Sequence, residues 1–265
     1  MAFISKSDYA VLDRREVSMF LFHPRAGLKM SERDIFIPVE DRILVGARFH
    51  TVRKDAPGIL FFHGNGEIAA DYDDIAKMYN KMGINFLIAD YRGYGRSTGK
   101  PTVSAMMQDC HLIFNFTKNW LKENGYSGPF ILMGRSLGSA SVLELAACYK
   151  DQADALIVES GFAYAGPLLE LIGINIRELG FREEEGFRNT DKIRKFDKPA
   201  LIIHAQYDQL IPFADGKALY DACGSADKTL LMIPEADHND IFFKGLSQYM
   251  AAIKTLVEKL GKEKE

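Results

Sequence analysis

A chain of 265 residues, 47% hydrophobic and 26% charged, with a formal net charge of -3, has the size and balance of one soluble globular domain with a sizeable core. No basic patch suggests nucleic acid as a partner, and no apolar run approaches the roughly 18 residues of a membrane span. Cys110, Cys148 and Cys223 are far apart and odd in number. They fit neither zinc spacing nor a disulfide framework, which predicts buried free thiols in a reducing compartment.

Residues 1–6 lack an apolar core behind a basic head, so no secretory signal is expected and the location reads as cytoplasmic. Within the N-terminal segment 1–30, the stretch Phe20-Leu21-Phe22-His23 stops at Pro24 and reads as cover for a sheet edge. Residues 34–39 and 42–49 are rich in β-branched side chains and meet at Glu40-Asp41, which predicts an antiparallel hairpin. The run Gly58-Ile59-Leu60-Phe61-Phe62 is too short for a helix and predicts a strand buried on both faces. It leads directly into His63-Gly64-Asn65-Gly66-Glu67.

Helix and strand then alternate. Residues 68–82 have helical period, and a strand over 84–89 ends in Asp90-Tyr91-Arg92-Gly93-Tyr94-Gly95. Pro101 suits the first turn of a helix, whose apolar face would be Val103, Met106, Met107, Cys110, Ile113, Phe114, Trp120 and Leu121. Strands are expected at 131–133, 155–158, 199–204 and 229–233, with helices from 139, around 217–222 and over 241–260. The pattern predicts an α/β fold in a single domain over 1–265. Its sheet would be mostly parallel, with right-handed crossovers, helices on both faces and the antiparallel hairpin at one edge. Ligands bind such sheets outside the carboxyl ends of the strands. One segment, 159–196, breaks the alternation and reads as a small cap insertion. Its Phe162, Tyr164, Leu168, Leu169, Leu171 and Ile172 could wall an apolar substrate pocket, or simply anchor the insertion's own helix.

The stretch Ile131-Leu132-Met133-Gly134-Arg135-Ser136-Leu137-Gly138-Ser139 is an apolar run, then Gly-x-Ser-x-Gly, then a helix-forming segment. A strand that reverses into a helix within three residues strains its corner residue and leaves no room for side chains on either flank. Ser136 would then project from the strand end beside the free N–H groups of the helix. A serine nucleophile needs a base, by default histidine, and a carboxylate to fix its tautomer. After Ser136 only His204 and His238 remain. His204 sits inside a strand and reads as structural. His238 lies in the loop after the last strand, at the sheet edge where the elbow opens. Among the acids, Asp208 follows the strand ending near Ala205 and can reach the imidazole from the side opposite Ser136. Asp215 lies further along, and Asp237 and Asp240 suit capping of the closing helix. The backbone N–H groups of Leu137 and Asn65 are the expected oxyanion donors, and His63 reads as a shaping residue of its turn.

Two glycine-rich patterns fail as phosphate loops. Gly93-Tyr94-Gly95-Arg96-Ser97-Thr98 has Thr98 at its third glycine position. Gly95-Arg96-Ser97-Thr98-Gly99-Lys100 is one residue short between glycines, with Pro101 where a Ser or Thr would hold magnesium. No histidines and acids cluster at ligand spacing, so no metal is expected.

Taken together, His63-Gly64-Asn65-Gly66-Glu67, Asp90-Tyr91-Arg92-Gly93-Tyr94-Gly95, Gly134-Arg135-Ser136-Leu137-Gly138, Asp208 and His238-Asn239-Asp240 resemble the α/β-hydrolase superfamily. More narrowly they resemble the small-capped serine hydrolases of the BEM46-like and ABHD17-like group, over residues 35–260. Ala205 stands where relatives commonly have glycine. The resemblance implies a serine hydrolase, esterase- or thioesterase-like, with Ser136 as nucleophile, His238 as base, Asp208 as acid and no cofactor. Some relatives cleave acyl thioesters from lipidated proteins. This chain has no cysteine-rich N-terminal stretch, a departure from membrane-bound deacylases. The expected partner is a small-molecule ester or thioester, with no integral membrane association. A peptidase or amidase on the same scaffold, or a non-catalytic binding module, are the alternatives. A neutral histidine base predicts activity rising as pH climbs through about 6–7.

Overall fold

Five consecutive apolar residues cannot share one face of a strand, so Gly58–Phe62 is stable only as an interior strand with helices on both sides. The computed structural model describes residues 9–262 and places it there; the expectation for residues 1–6 lies outside the described residues. Helix α1 (Arg15–Leu21) precedes the hairpin of β1 (Asp34–Glu40) and β2 (Ile43–His50). There follow β3 (Gly58–Phe62), α2 (Asp73–Lys81), β4 (Asn85–Ala89), α3 (Val103–Glu123), β5 (Phe130–Arg135), α4 (Gly138–Cys148) and β6 (Ala155–Glu159). Three short helices come next, α5 (Ala165–Leu171), α6 (Ile176–Leu179) and α7 (Asn189–Ile193). The chain closes with β7 (Ala200–Ala205), α8 (Phe213–Ala222), β8 (Lys228–Ile233) and α9 (Ile241–Lys262).

The eight strands form one sheet in the order β1-β2-β4-β3-β5-β6-β7-β8. β1 pairs with β2 and β2 with β4 antiparallel, while every pair from β4 to β8 is parallel. The hairpin is therefore the expected edge. Every residue of β3, β4, β5, β6 and β7 is buried. Alternation splits them between two cores. Leu60, Phe62, Leu132 and Leu156 pack with α3 and α4. Ile59, Phe61, Ile131 and Ile157 pack with α2 and α9.

Pro101 is not in the first helical turn. Thr102 is the N-cap of α3, its hydroxyl accepting the Ala105 N–H at 3.1 Å, so the proline sits just outside the helix. The segment 159–196 folds as α5 to α7, and much of it is ordinary core: Phe162, Leu169, Phe187 and Ile193 are buried with the rest of that face.

Parallel register aligns the carboxyl ends of the strands. Phe62 is opposite Gly134, Arg135 opposite Glu159, and Ala205 opposite Ile233. The loops carrying Asn65, Ser136, Asp208 and His238 all leave from this row.

Candidate active site

Ser136 occupies the corner between β5 and α4 with φ of 50°, a left-handed conformation that non-glycine residues seldom adopt. The flanking glycines are obligatory for a measurable reason. A Cβ at Gly134 would lie 2.4 Å from the Gly138 carbonyl oxygen, and one at Gly138 would lie 2.1 Å from that of Phe62. Further hydrogen bonds brace the corner. Ser136 N–H donates to the Glu159 carbonyl at 2.9 Å, and the Ser139 hydroxyl donates to the Ser136 carbonyl at 2.6 Å.

The residues the sequence singled out from three distant loops meet here. Ser136 Oγ is 3.0 Å from His238 Nε2, and His238 Nδ1 is 2.7 Å from Asp208 Oδ2. With the Asp208 carboxylate accepting, Nδ1 carries the proton and Nε2 is the free acceptor. The second Asp208 oxygen accepts the N–H groups of Leu210 and Ile211 at 3.0 and 2.8 Å. Burial would raise the Asp208 carboxyl, but the hydrogen bond and charge of His238 and the Ile211 N–H hold it below its usual value.

The competing residues have other occupations. His204 is buried and bonded through Nε2 to the Ile211 carbonyl at 2.7 Å, and burial pushes its imidazole down. Asp215 accepts the Ala163 N–H at 2.8 Å. Asp237 accepts from Asn239 and Asp240, while Asp240 accepts from Asp237, a reciprocal cap before α9. His63 is locked between the Gly64 carbonyl at 2.8 Å and Asp90 Oδ1 at 3.1 Å.

Asn65 and Leu137 line the same cavity as Ser136. The Asn65 side chain is held by other partners. Its Oδ1 accepts the Tyr94 hydroxyl at 2.6 Å and the His23 N–H at 2.9 Å, and its Nδ2 donates to the Leu21 carbonyl at 2.8 Å. Asn65 and Leu137, the residue just before α4, are the two expected to offer backbone N–H groups to a ligand.

The cavity measures about 520 Å³. Of the six residues expected to wall it, Leu168, Leu171 and Ile172 do. Phe162 and Leu169 are instead buried in the core, at 1% exposure each, because a short segment crossing the sheet needs its own apolar anchors. Phe162 stacks edge-on against Phe187. Tyr164 is exposed and borders a smaller neighbouring cavity.

The remaining wall was not foreseen. Phe20, Leu21 and His23 line the cavity, while Leu21 and Phe22 are also buried in the core that includes Ile37, Val39 and Val45 of the hairpin. The apolar character of this stretch was visible in the sequence, but its place at the cavity was not. Glu67, Arg135 and Asn239 complete the floor. Burial would raise the Glu67 carboxyl, but Arg135 holds it low, whereas burial leaves that of Glu159 raised.

His111, Glu144 and Cys148 come within reach of one another between α3 and α4, a juxtaposition hidden in the sequence by their separation. Glu144 is already paired with the Lys192 ammonium at 2.8 Å. Burial works against its charge, yet His111 and Lys192 bring the carboxyl down to about 2. The group therefore reads as a buried ion pair. Among the described residues none of the three cysteines is in a disulfide, with Cys110 and Cys223 buried and Cys148 half-buried beside Glu144. Among the described residues, no helix is long and apolar enough to cross a membrane.

Residues 54–177 match the Hydrolase_4 family, described as serine aminopeptidase, S33. The chain is 32% identical over 209 residues to alpha/beta hydrolase domain-containing protein 17B of Homo sapiens, covering 75% of this chain and 65% of the relative. It is 27% identical over 218 residues to protein bem46 of Schizosaccharomyces pombe, covering 75% and 68%. It thus spans about two thirds of the length of these curated relatives. Among solved structures, the Pyrococcus furiosus esterase Pf2001 superposes with a TM-score of 0.72 at 17% identity, covering 90% of this chain and 98% of that one. Est1E from Butyrivibrio proteoclasticus, with ferulic acid bound, gives 0.69 at 20% identity, covering 85% and 98%.

Proposed function

The chain belongs to the α/β-hydrolase family, and on that premise we propose that it cleaves carboxylic ester or thioester bonds through an acyl-enzyme on Ser136. The hydrogen-bonded series Ser136–His238–Asp208, with links of 3.0 and 2.7 Å, carries the reading. His238 Nε2 takes the hydroxyl proton as Ser136 Oγ attacks the acyl carbonyl, and Asp208 steadies the imidazolium that results. The N–H groups of Leu137 and Asn65 receive the oxyanion. His238 then protonates the departing alcohol or thiol, and a water activated by the same histidine releases the acid. Each residue returns to its starting state, so the cycle asks for no cofactor.

The apolar wall of Phe20, Leu21, Leu168, Leu171, Ile172 and Leu210 supports an apolar acyl group of short or medium length as the preferred substrate. The reading includes action in the cytoplasm, which subcellular fractionation would test. Hydrolysis of p-nitrophenyl esters of increasing acyl length is the direct assay. Activity should peak at one chain length in the wild type and vanish in Ser136→Ala. Equal turnover by the variant would overturn the assignment.

The description of the matched family as a serine aminopeptidase favours one second reading, amide cleavage by the same residues. Aminoacyl p-nitroanilides separate the two. Turnover of anilides above that of the matched esters would move the assignment to a peptidase. If neither class is hydrolysed, labelling of Ser136 by a fluorophosphonate would separate a working nucleophile from a non-catalytic binding module.

A further inference from the structure

We propose that Arg135 is a positioning residue that holds the oxyanion turn, the elbow and the histidine loop in one fixed arrangement; the proposal rests on the roles assigned above to Ser136 and His238. Arg135 is the last residue of β5, immediately before Ser136, and its side chain is buried. Its guanidinium reaches three separate parts of the site. Nη2 donates to the backbone carbonyl of His238 at 2.7 Å. Nε donates to Glu159 Oε1 at 3.1 Å, its register partner on β6. Nη1 is paired with Glu67 Oε1.

Each carboxylate passes the restraint on. Glu67 Oε2 accepts the Gly64 N–H at 2.7 Å and the Tyr72 hydroxyl at 2.5 Å, which ties down the turn that carries Asn65. Glu159 Oε2 accepts the Tyr249 hydroxyl at 2.6 Å, which ties in α9, the helix leaving the histidine loop. A lysine could not replace this arrangement, since three partners, one on each guanidinium nitrogen, match the fork of an arginine and not a point charge.

Stability alone is a poor reason for the cluster. Burying a guanidinium with two carboxylates carries a desolvation cost that apolar side chains of similar volume avoid. The turn has also been shaped around it: a Cβ at Gly64 would lie 2.6 Å from Arg135 Nη1. Arg135 makes no bond to the Ser136 hydroxyl. It acts on the backbone of His238 and, through Glu67, on the backbone of the oxyanion turn. Loosening such supports by about 1 Å costs on the order of 100-fold in rate. A cavity of about 260 Å³ lined by Glu67, Arg135, Glu159 and Tyr249 lies against the cluster, and it gives a small cation a place to enter when the side chain is removed.

The test uses the full chain and a p-nitrophenyl ester. Loss of wild-type activity in Ser136→Ala first establishes the underlying reading; if that variant stays active, the reading fails whatever Arg135 does. Arg135→Ala and Arg135→Lys, each checked for folding by circular dichroism, are then compared with wild type. We expect kcat to fall about 100-fold with KM within threefold in both. Ethylguanidinium at millimolar concentration should restore at least tenfold to Arg135→Ala and nothing to Ser136→Ala. Should Arg135→Ala not fold, the same split of kcat from KM in Arg135→Lys supports the role. A kcat within threefold of wild type in either folded variant, a loss confined to KM, or no rescue of folded Arg135→Ala would overturn it.

Discussion

The row of strand ends and the helical segment laid across it are built on different kinds of constraint. At the elbow the backbone itself is forced: Ser136 sits at φ of 50° between two glycines that cannot carry a Cβ. In the segment from α5 to α7 the backbone is forced at Arg188, with φ of 53°, but the residues that line the cavity are under no such demand. Leu168 faces the cavity and Leu169, its neighbour, faces the core, and exchanging one apolar residue for another there changes shape without breaking a hydrogen bond. On the proposed function, chemistry is therefore concentrated where tolerance is least, and substrate fit where tolerance is greatest.

The largest effect expected from this contrast is on turnover. Ser136→Ala or His238→Ala should lower kcat by about 10⁴-fold or more, with melting temperature nearly unchanged, as read from paired kinetics and thermal melts. A variant that kept more than a tenth of the activity would erase the distinction between the two regions. Next in size is the backbone constraint. Gly138→Ala places a methyl 2.1 Å from the Phe62 carbonyl oxygen, and should cost at least about 1–3 kcal/mol in denaturant unfolding along with most of the activity, because α4 must shift beneath the oxyanion donor.

The segment itself can be split by two substitutions. Phe162→Ala removes a buried ring packed on Phe187 and should cost about 3–5 kcal/mol while leaving the preferred acyl length where it was. Leu171→Trp narrows the cavity from an exposed position, and should move the preference to shorter chains with little change in stability. If Phe162→Ala instead altered chain-length preference, the division of this segment into anchor and wall would be wrong.

The smallest expected effect lies outside both regions. Burial pushes the His50 imidazole down to about 4, with nearby Asp73 opposing the shift. An unfolded histidine titrates near 6.5, so between about pH 6.5 and 4 the unfolded chain holds a proton that the folded one lacks. Stability from this group is full above that window and lost as pH falls through it. Melting temperatures of His50→Gln followed from pH 7 to 4 should fall less steeply than those of wild type, with ester hydrolysis at pH 7.5 unchanged.

The same contrast explains what the chain disclosed before its structure was known. Ser136 was legible because glycines mark a backbone that must reverse, and His238 and Asp208 because strand ends in a parallel sheet share one edge. The order of helices and strands from β1 onward followed from period, β-branched content and turn residues, whereas helix α1 (Arg15–Leu21) was not foreseen. The walls of the cavity were not legible, since Leu168 and Leu169 are the same residue type with opposite destinations. Phe20, Leu21 and His23 were hidden for a related reason: nothing local tells an apolar stretch which surface it will meet. Glu67 was noticed only as part of its motif, and Arg135 only as the variable position of the elbow. Their pairing through space with Glu159 and the His238 carbonyl depends on contacts between distant parts of the chain, which no periodicity records.

The central claim is that acyl transfer passes through the Ser136 hydroxyl. The direct measurement is to quench the protein with acid during the first turnovers of a p-nitrophenyl ester and map the acylated peptide by mass spectrometry. The account predicts one acyl group per chain, on Ser136, formed with a burst of p-nitrophenol and absent from Ser136→Ala. An acyl group on another residue, or undiminished hydrolysis in Ser136→Ala with no acyl-enzyme, would contradict it.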